Sequence, residues 1–434
     1  MRSLRKQAFW LFVLLAGLSL GAGSALAAGP ELFQHGGRAT AQVGAMTARA
    51  DDPSAARYNP AGLGSLAGFQ LQAGLDFNNP TDDFQGTGGT HRASHEIQFP
   101  PALYASWKPD PNSEWTYGLS LDTPYWYLRD WNTALFPGRF VTRKQELRVA
   151  ELHPVVAYQL DPHWSVGGGL RYFYGSLQRG FNFQGQLPAT ATSPVQPFEL
   201  QNLASARVTA LSFDLAIRYA ESAWGWGAVY RHGFKLSATD DFKIKIRDLV
   251  DTSRSDEVLA RFPYDRARQS FELPPELLGG AWLAPYPELR LELDLSYQRW
   301  SSVGDSKLVV LPRSSAGGAT PVDLSLKREW DDTLSIRLGV EGNLTDEIAL
   351  TGGIAFEPSP VAKSTVEPGF PNGDTRVYAL GASYSFPDLS FDLGYSLHQK
   401  QDVTVARSAN LPPPAGGKFT GREQVWSFSA RWRL

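Results

Sequence analysis

The stretch Leu289-Arg290-Leu291-Glu292-Leu293-Asp294-Leu295-Ser296-Tyr297-Gln298-Arg299-Trp300 decides the fold. Leu289, Leu291, Leu293, Leu295 and Tyr297 alternate with Arg290, Glu292, Asp294, Ser296 and Gln298, and a period of two gives an extended strand two chemically different faces. One face meets lipid or an apolar core, the other water. The same two-sidedness recurs from Arg207 to Tyr219, where Leu211, Phe213, Leu215, Ile217 and Tyr219 face away from Ser212, Asp214, Ala216 and Arg218. It returns from Leu389 to Leu397.

Working outward from these segments, the alternation predicts fourteen strands, centred near Gly74, Tyr104, Leu119, Leu152, Leu170, Phe213, Val229, Leu278, Leu293, Leu338, Ala355, Ala382, Leu393 and Phe428. An even count suits an all-β, antiparallel transmembrane barrel closed on itself. Tight turns such as Asp161-Pro162-His163, Glu221-Ser222-Ala223, Thr345-Asp346-Glu347 and Pro387-Asp388 alternate with long Pro-rich or Gly-rich loops. Short turns at one end and long loops at the other are barrel topology, with both termini on the periplasmic side. A soluble β-sandwich or propeller would also alternate, so the aromatic residues decide between them. Trp115, Trp164, Trp224, Tyr286 and Trp432 stand at strand ends or turns, where a barrel carries its interfacial girdle. The final segment alternates Trp426, Phe428, Ala430, Trp432 and Leu434 to the last residue.

At the other end, Arg2, Arg5 and Lys6 precede an apolar run from Ala8 to Leu20 and the small-residue stretch Ala25-Leu26-Ala27. That run of about 13 residues falls short of the ~20 that span a bilayer as a helix, so residues 1–27 read as a signal peptide. Cleavage leaves Ala28 first and lowers the 41 basic residues to 38 against 44 acidic ones, a net charge of −6. With no basic cluster, nucleic acid is not an expected partner. The chain has no cysteine, so disulfides do not hold it. Rich in Gly (41), Phe (24), Tyr (16) and Trp (13) yet with a mean hydropathy of −0.27, it has the composition of strands with one apolar and one wet face. Residues 28–67 do not alternate; residues 68–434 form the expected barrel.

Within that first segment, Arg49 to Leu63 (Arg-Ala-Asp-Asp-Pro-Ser-Ala-Ala-Arg-Tyr-Asn-Pro-Ala-Gly-Leu) resembles the N-terminal hatch of the FadL/TodX-type outer-membrane transporters of long-chain fatty acids and aromatic hydrocarbons. Three further blocks are similar to the same family and follow its order: Leu273-Pro274-Pro275-Glu276 leading to Trp300-Ser301; Trp330-Asp331-Asp332-Thr333; and Gly353-Ile354-Ala355-Phe356-Glu357-Pro358-Ser359-Pro360-Val361. The resemblance covers nearly the whole mature chain. It implies a fourteen-stranded barrel plugged by residues 28–67, with Tyr58, Asn59, Pro60 and Ala61 at the heart of the hatch. It further implies passive uptake of hydrophobic molecules, caught among extracellular loops, held in an interior pocket and released sideways beside a kinked third strand. No cofactor and no metal are implied. The expected partners are the hydrophobic solute and the lipid and lipopolysaccharide of the outer membrane, around a monomer.

Family position draws attention to Asp122, Thr123 and Pro124 as a lateral opening, because proline lacks the N–H that a ladder bond uses. Pro124 could equally just end its strand. An apolar solute needs a dry route, since exposing it to water costs about 25 cal/mol per Å². Trp126, Tyr127, Trp131, Leu135 and Phe136, read as part of the loop after strand three, are candidates for binding it; they could instead pack that loop on the rim. Asn59 and Pro60 are turn formers and fit an anchor for the plug. A fatty-acid carboxylate would want an inward cation, and Arg218, Arg290 and Arg337 are placed for it. Those arginines could also pair with inward acids such as Asp214, Glu292 and Glu341.

Asp51-Asp52 lacks clustered partners for a metal and reads as a helix start. The seven histidines are scattered and no serine lies in a Gly-x-Ser-x-Gly elbow, so enzymatic activity is not expected. Gly86-Thr87-Gly88-Gly89 lacks the lysine of a phosphate loop. A structural or adhesive barrel is the alternative, and a general porin a third; neither needs a 40-residue apolar plug.

Overall fold

The computed structural model describes residues 31–32, 34–86, 88–133, 135–314, 317–406, 408–411 and 416–434. The expected signal peptide, residues 1–27, lies outside the described residues. Fourteen strand spans follow one another: β1 Phe69–Gly86; β2 in two pieces, Gly89–Arg92 and Pro101–Trp107; β3 Trp115–Asp130; β4 Lys144–Gln159; β5 Trp164–Leu187; β6 Gln196–Ala220. Next come β7, Trp224–Arg231 with Phe234–Leu249; β8, Tyr264–Leu273 with Glu276–Tyr286; β9, Leu289–Gln298 with Lys307–Pro312; and β10, Val322–Asp323 with Thr333–Asn343. The set ends with β11 Ile348–Glu357, β12 Thr375–Ser385, β13 Leu389–Val405 and β14 Gly417–Arg433. Each span pairs antiparallel with the next, and β14 pairs with β1 from Gln70–Arg433 to Gly86–Gly417, so the sheet closes on itself.

Closure in hydrocarbon inverts the usual burial. On β9, Leu293, Leu295 and Tyr297 are 45, 41 and 41 % exposed, whereas Glu292, Asp294 and Ser296 are buried. The same holds on β6, with Leu211 and Leu215 outward and Ser212, Asp214 and Arg218 buried. Lipid takes the place of a core on the outside, and ladder hydrogen bonds satisfy the backbone that lipid cannot. Among the described residues no helix is long and apolar enough to cross a membrane; the strands do the crossing.

Short turns join β4–β5, β6–β7, β8–β9, β10–β11 and β12–β13 at the end that also holds both barrel termini. Exposed Trp115, Trp224 and Tyr286 lie at this end. In the β4–β5 turn the backbone N–H groups of Trp164 and His163 donate to Asp161 and hold its carboxyl below the ordinary range. At the opposite end β5, β6 and β7 run on past their neighbours toward a loop helix, Ser255–Ala260. Two spans bend together: β7 breaks at His232-Gly233 against the Pro274-Pro275 break of β8, where a side chain at Gly233 would meet the Pro275 nitrogen at 2.7 Å. Proline removes the ladder donor there and glycine leaves room for it.

Candidate functional site

Residues 34–64 carry two short helices, α1 Gly37–Ala41 and α2 Ala55–Tyr58, and the 3-10 turn Pro60–Ser65; nearly all of them are buried against inward-facing strand residues. The polar face of β9 holds this segment by its backbone. Asp294 accepts the N–H groups of Met46 (3.0 Å) and Thr47 (2.8 Å), and Glu292 those of Ala48 (2.8 Å) and Arg49 (3.0 Å). Because Glu292 and Asp294 are two residues apart on one strand they share a face, so four consecutive donors meet two carboxylates. Arg38 reaches Asp51 (2.7 Å), Asp52 (2.8 Å) and Glu341 (2.9 Å), and Arg49 also pairs with Glu341 at 2.8 Å. The Asp52 carboxylate accepts from the Ser54 N–H at 2.9 Å just ahead of α2, but the N-cap of that helix is Ser54 and carries no side-chain cap bond, so Asp52 serves the ion pair with Arg38 and the turn before the helix, not the cap.

Tyr58, Asn59, Pro60 and Ala61 sit at the centre of this contact. The Tyr58 hydroxyl accepts from the His35 N–H (3.1 Å); Asn59 Nδ2 donates to the Thr47 carbonyl (2.7 Å) and Asn59 Oδ1 accepts from the Ala61 N–H (3.1 Å). Pro60 opens the 3-10 turn. Two barrel glycines permit the approach: a Cβ at Gly167 would stand 2.7 Å from Ala61 N, and one at Gly227 2.6 Å from Asn59 Nδ2.

The wall is least regular at Asp122, Thr123 and Pro124. Between β3 and β4 the register steps from Asp122–Glu151 to Tyr125–Val149, so Thr123 and Pro124 together face Ala150 in a bulge, a place where a strand tolerates proline. On its other side β3 pairs with β2 only from Trp107–Tyr117 to Leu103–Leu121. Beyond Leu121, residues 93–100 carry no β2–β3 ladder; Ser94 N–H donates to the Asp130 carbonyl at the far end of the gap, and Gln98 bridges to Asn78 of β1. Ile97, Phe99 and Leu121 are exposed around it. From inside, the Leu32 N–H donates to the Pro124 carbonyl at 2.7 Å, and Arg57 pairs with Asp122 at 2.8 Å.

Trp126 and Tyr127 belong to β3 itself, which corrects the reading of them as loop residues. The β4 ladder carries β3 past the proline to Asp130, and pairing on one side suffices to continue a strand. Trp131 and Phe136 do lie in the following loop, stacked at 4.7 Å and fully buried, while Leu135 is 73 % exposed. Two apolar clusters line the interior. The one toward the long loops gathers Phe84, Trp131, Phe136, Val366 and Phe419; the other, at mid-wall, gathers Tyr125, Tyr127, Phe173, Phe271, Trp300, Trp330 and Phe370. Val361 packs against both. Phe173 stacks on Phe234 at 3.9 Å, and Trp300 meets Trp330 edge-on at 5.0 Å.

Beside these clusters lies a cavity of about 100 Å³, bounded by Leu32, Trp126, Tyr127, Arg129, Arg337 and Lys400 among others. Its cations have acidic partners: Arg129 with Asp82 (2.7 Å), Lys400 with Asp82 (3.3 Å) and Arg337 with Glu357 (3.1 Å). Arg218 is away from this cavity; its Nε donates to the Ala48 carbonyl at 2.9 Å. Arg290 faces Glu341 at 3.5 Å, a pairing the sequence offered, whereas Asp214 faces His153 at 3.2 Å and Glu292 takes backbone N–H groups instead of an arginine. Sequence reasoning missed the Arg57–Asp122 pair and the whole contribution of residues 365–374. Long-range partnership of this kind leaves no periodic signal.

A family model described as outer membrane protein transport protein (OMPP1/FadL/TodX) matches residues 18–433. The chain is 25% identical over 398 residues to a long-chain fatty acid transport protein of Salmonella typhi, covering 85% of this chain and 86% of that one. It is 24% identical over 401 residues to that of Escherichia coli (strain K12), with the same coverage. In structure it is similar to a Pseudomonas aeruginosa FadL homologue (TM-score 0.72, 20% identity, 95% of this chain and 98% of that one). It is also similar to the P. putida toluene transporter TodX (TM-score 0.72, 15% identity, 93% and 99%). A family match that spans almost the whole chain, on a closed barrel of fourteen strands, means that the chain belongs to the OMPP1/FadL/TodX family of outer membrane transport proteins and resides in the outer membrane of a Gram-negative cell.

Proposed function

We propose that this barrel is a passive channel for hydrophobic small molecules, which enter among the long loops, cross the apolar interior and leave sideways through the wall at Asp122, Thr123 and Pro124. The observation that carries the reading is the sequence of buried apolar groups from Trp131 and Phe136 to Tyr125, one residue from Pro124, where the ladder to β2 has already ended. In this reading residues 28–67 form the hatch, with Tyr58, Asn59, Pro60 and Ala61 as its anchor, and the barrel proper is residues 68–434. Trp126, Tyr127, Trp131 and Phe136 bound the route, while Arg337 stands at the polar cavity beside it and Arg218 steadies the hatch. The chain performs no covalent chemistry.

Lateral release suits an apolar cargo. A molecule passed into lipid avoids hydration worth about 0.8 kcal/mol per CH₂, several kcal/mol for a ten-carbon chain. The relatives named for long-chain fatty acids and for toluene bracket the candidate solutes. Cells lacking other transporters of this type, with and without the chain in the outer membrane, should differ at least ten-fold in initial uptake of radiolabelled oleate or toluene. Equal uptake of both with the barrel present at normal levels would refute a transport role and leave a structural or adhesive barrel.

A further inference from the structure

Connections between strands ordinarily run over a protein's surface, where water satisfies their backbone. The one between β11 and β12 does not: Thr365 to Asp374 are all buried without forming a strand or helix. Their carbonyls are taken up by side chains of the channel interior. Tyr127 donates its hydroxyl to the Gly369 carbonyl (2.7 Å), Trp131 its indole N–H to that of Pro368 (2.8 Å), and Asn410 its amide to that of Thr365 (2.6 Å). Phe370 fills the middle of the mid-wall aromatic cluster. Its ring stacks on Tyr127 (4.8 Å, 23°), meets Trp330 edge-on (5.9 Å) and lies against Phe271 (5.5 Å).

Two of the four aromatic residues assigned above to the solute's route, Tyr127 and Trp131, thus grip this chain's own Pro368-Gly369-Phe370. The neighbouring cavity, which shares Tyr127 with this cluster, is about 100 Å³, against the ~300–1,000 Å³ of a pocket that encloses a drug-sized ligand. The aromatic positions beside it are filled by the chain's own Phe370.

We propose that residues 365–374 are a displaceable self-ligand: the Phe370 ring holds the apolar seat in the resting channel, and an arriving solute takes that place as the segment swings toward the loops. This rests on the uptake reading above. The grip is of a kind that can be exchanged. Ring stacking and the bonds from Tyr127 and Trp131 hold Pro368-Gly369-Phe370 itself, while Asn410 to Thr365, Ser408 to Val366 (2.7 Å) and Ser359 to Asn372 (2.9 Å) tie the two flanks as hinges. No ladder pairs the turn, and an apolar solute offers Tyr127, Phe271 and Trp330 the same kind of contact. The two donors would turn to water or to a polar end of the solute.

The absence of cysteine from the chain makes a reversible lock clean. A Cβ at Gly369 would lie 2.9 Å from Thr142 Cγ2, within disulfide reach, so Thr142→Cys with Gly369→Cys can tie the turn in place. Oxidised cells should lose at least nine-tenths of toluene and oleate uptake, and reduction should restore it. Unchanged uptake in the oxidised state overturns the proposal. As a second measurement, Phe370→Ala in the purified barrel should bind toluene at least ten-fold more tightly than the unaltered chain, read from tryptophan fluorescence; equal or weaker binding likewise overturns it. If the unaltered chain itself takes up neither solute, the transport reading fails instead, and the fluorescence comparison still decides whether Phe370 occupies a seat for apolar molecules.

Discussion

Glu292 and Asp294 illustrate how much a single face of a strand can decide. Their alternation with Leu291, Leu293 and Leu295 announces the strand, and the same parity points both carboxylates at the N–H groups of residues 46–49. Replacing both with alanine strands four buried donors, each at about 1–3 kcal/mol. Amide hydrogen exchange at Met46 to Arg49 should then rise by more than ten-fold and ion conductance across planar bilayers should increase. Heat-modifiable migration of the barrel should not change, since closure of the sheet does not depend on these bonds. Exchange as slow as before would mean that the inner segment is held elsewhere. The direction of these side chains was legible from the sequence; their partners were not. Nothing in Ala48 or Arg49 marks a backbone donor, and the Arg57–Asp122 pair joins residues that only the closed barrel brings together.

At the scale of elements, every one of the fourteen strand centres falls within a strand, because lipid on the outside and polar contacts inside imprint a period of two. Where that imprint lapses, reading failed. Pro124 suggested that β3 stops, and Trp126 and Tyr127 were assigned to a loop, yet the β4 ladder carries the strand on to Asp130 after absorbing Pro124 in a bulge. Pro358-Ser359-Pro360 follows the end of β11 at Glu357, but no pattern in Thr365 to Asp374 tells that the connection folds inward. The asymmetry between faces can be measured. Leu293→Arg, near the middle of the outward face of β9, should cost about 2–4 kcal/mol of folding free energy in lipid vesicles, whereas Leu434→Arg, at the end of the chain, should cost about 0–1 kcal/mol. Equal costs would place Leu293 away from hydrocarbon.

For the molecule as a whole, the physical tension lies between closure and release. A barrel survives in lipid because every ladder is paired, and each unsatisfied group in hydrocarbon costs several kcal/mol. An apolar cargo nevertheless gains from a way out through the wall. On the proposed lateral route, the arrangement at β2–β3 would meet both demands: it leaves a short unpaired stretch, bounded by the Leu103–Leu121 pair and the Ser94–Asp130 bond, with the Pro124 carbonyl satisfied from inside by Leu32. The measurement that bears most directly on this account is uptake by a barrel whose wall is sealed there. Pro124→Val restores a ladder donor and Thr123→Trp fills the gap. Initial rates of radiolabelled oleate and toluene uptake in cells lacking other such transporters should fall at least ten-fold for the double variant, with the barrel present at normal levels. Rates equal to those of the unaltered chain for both solutes would contradict lateral exit and mean that cargo passes through the inner segment to the periplasm.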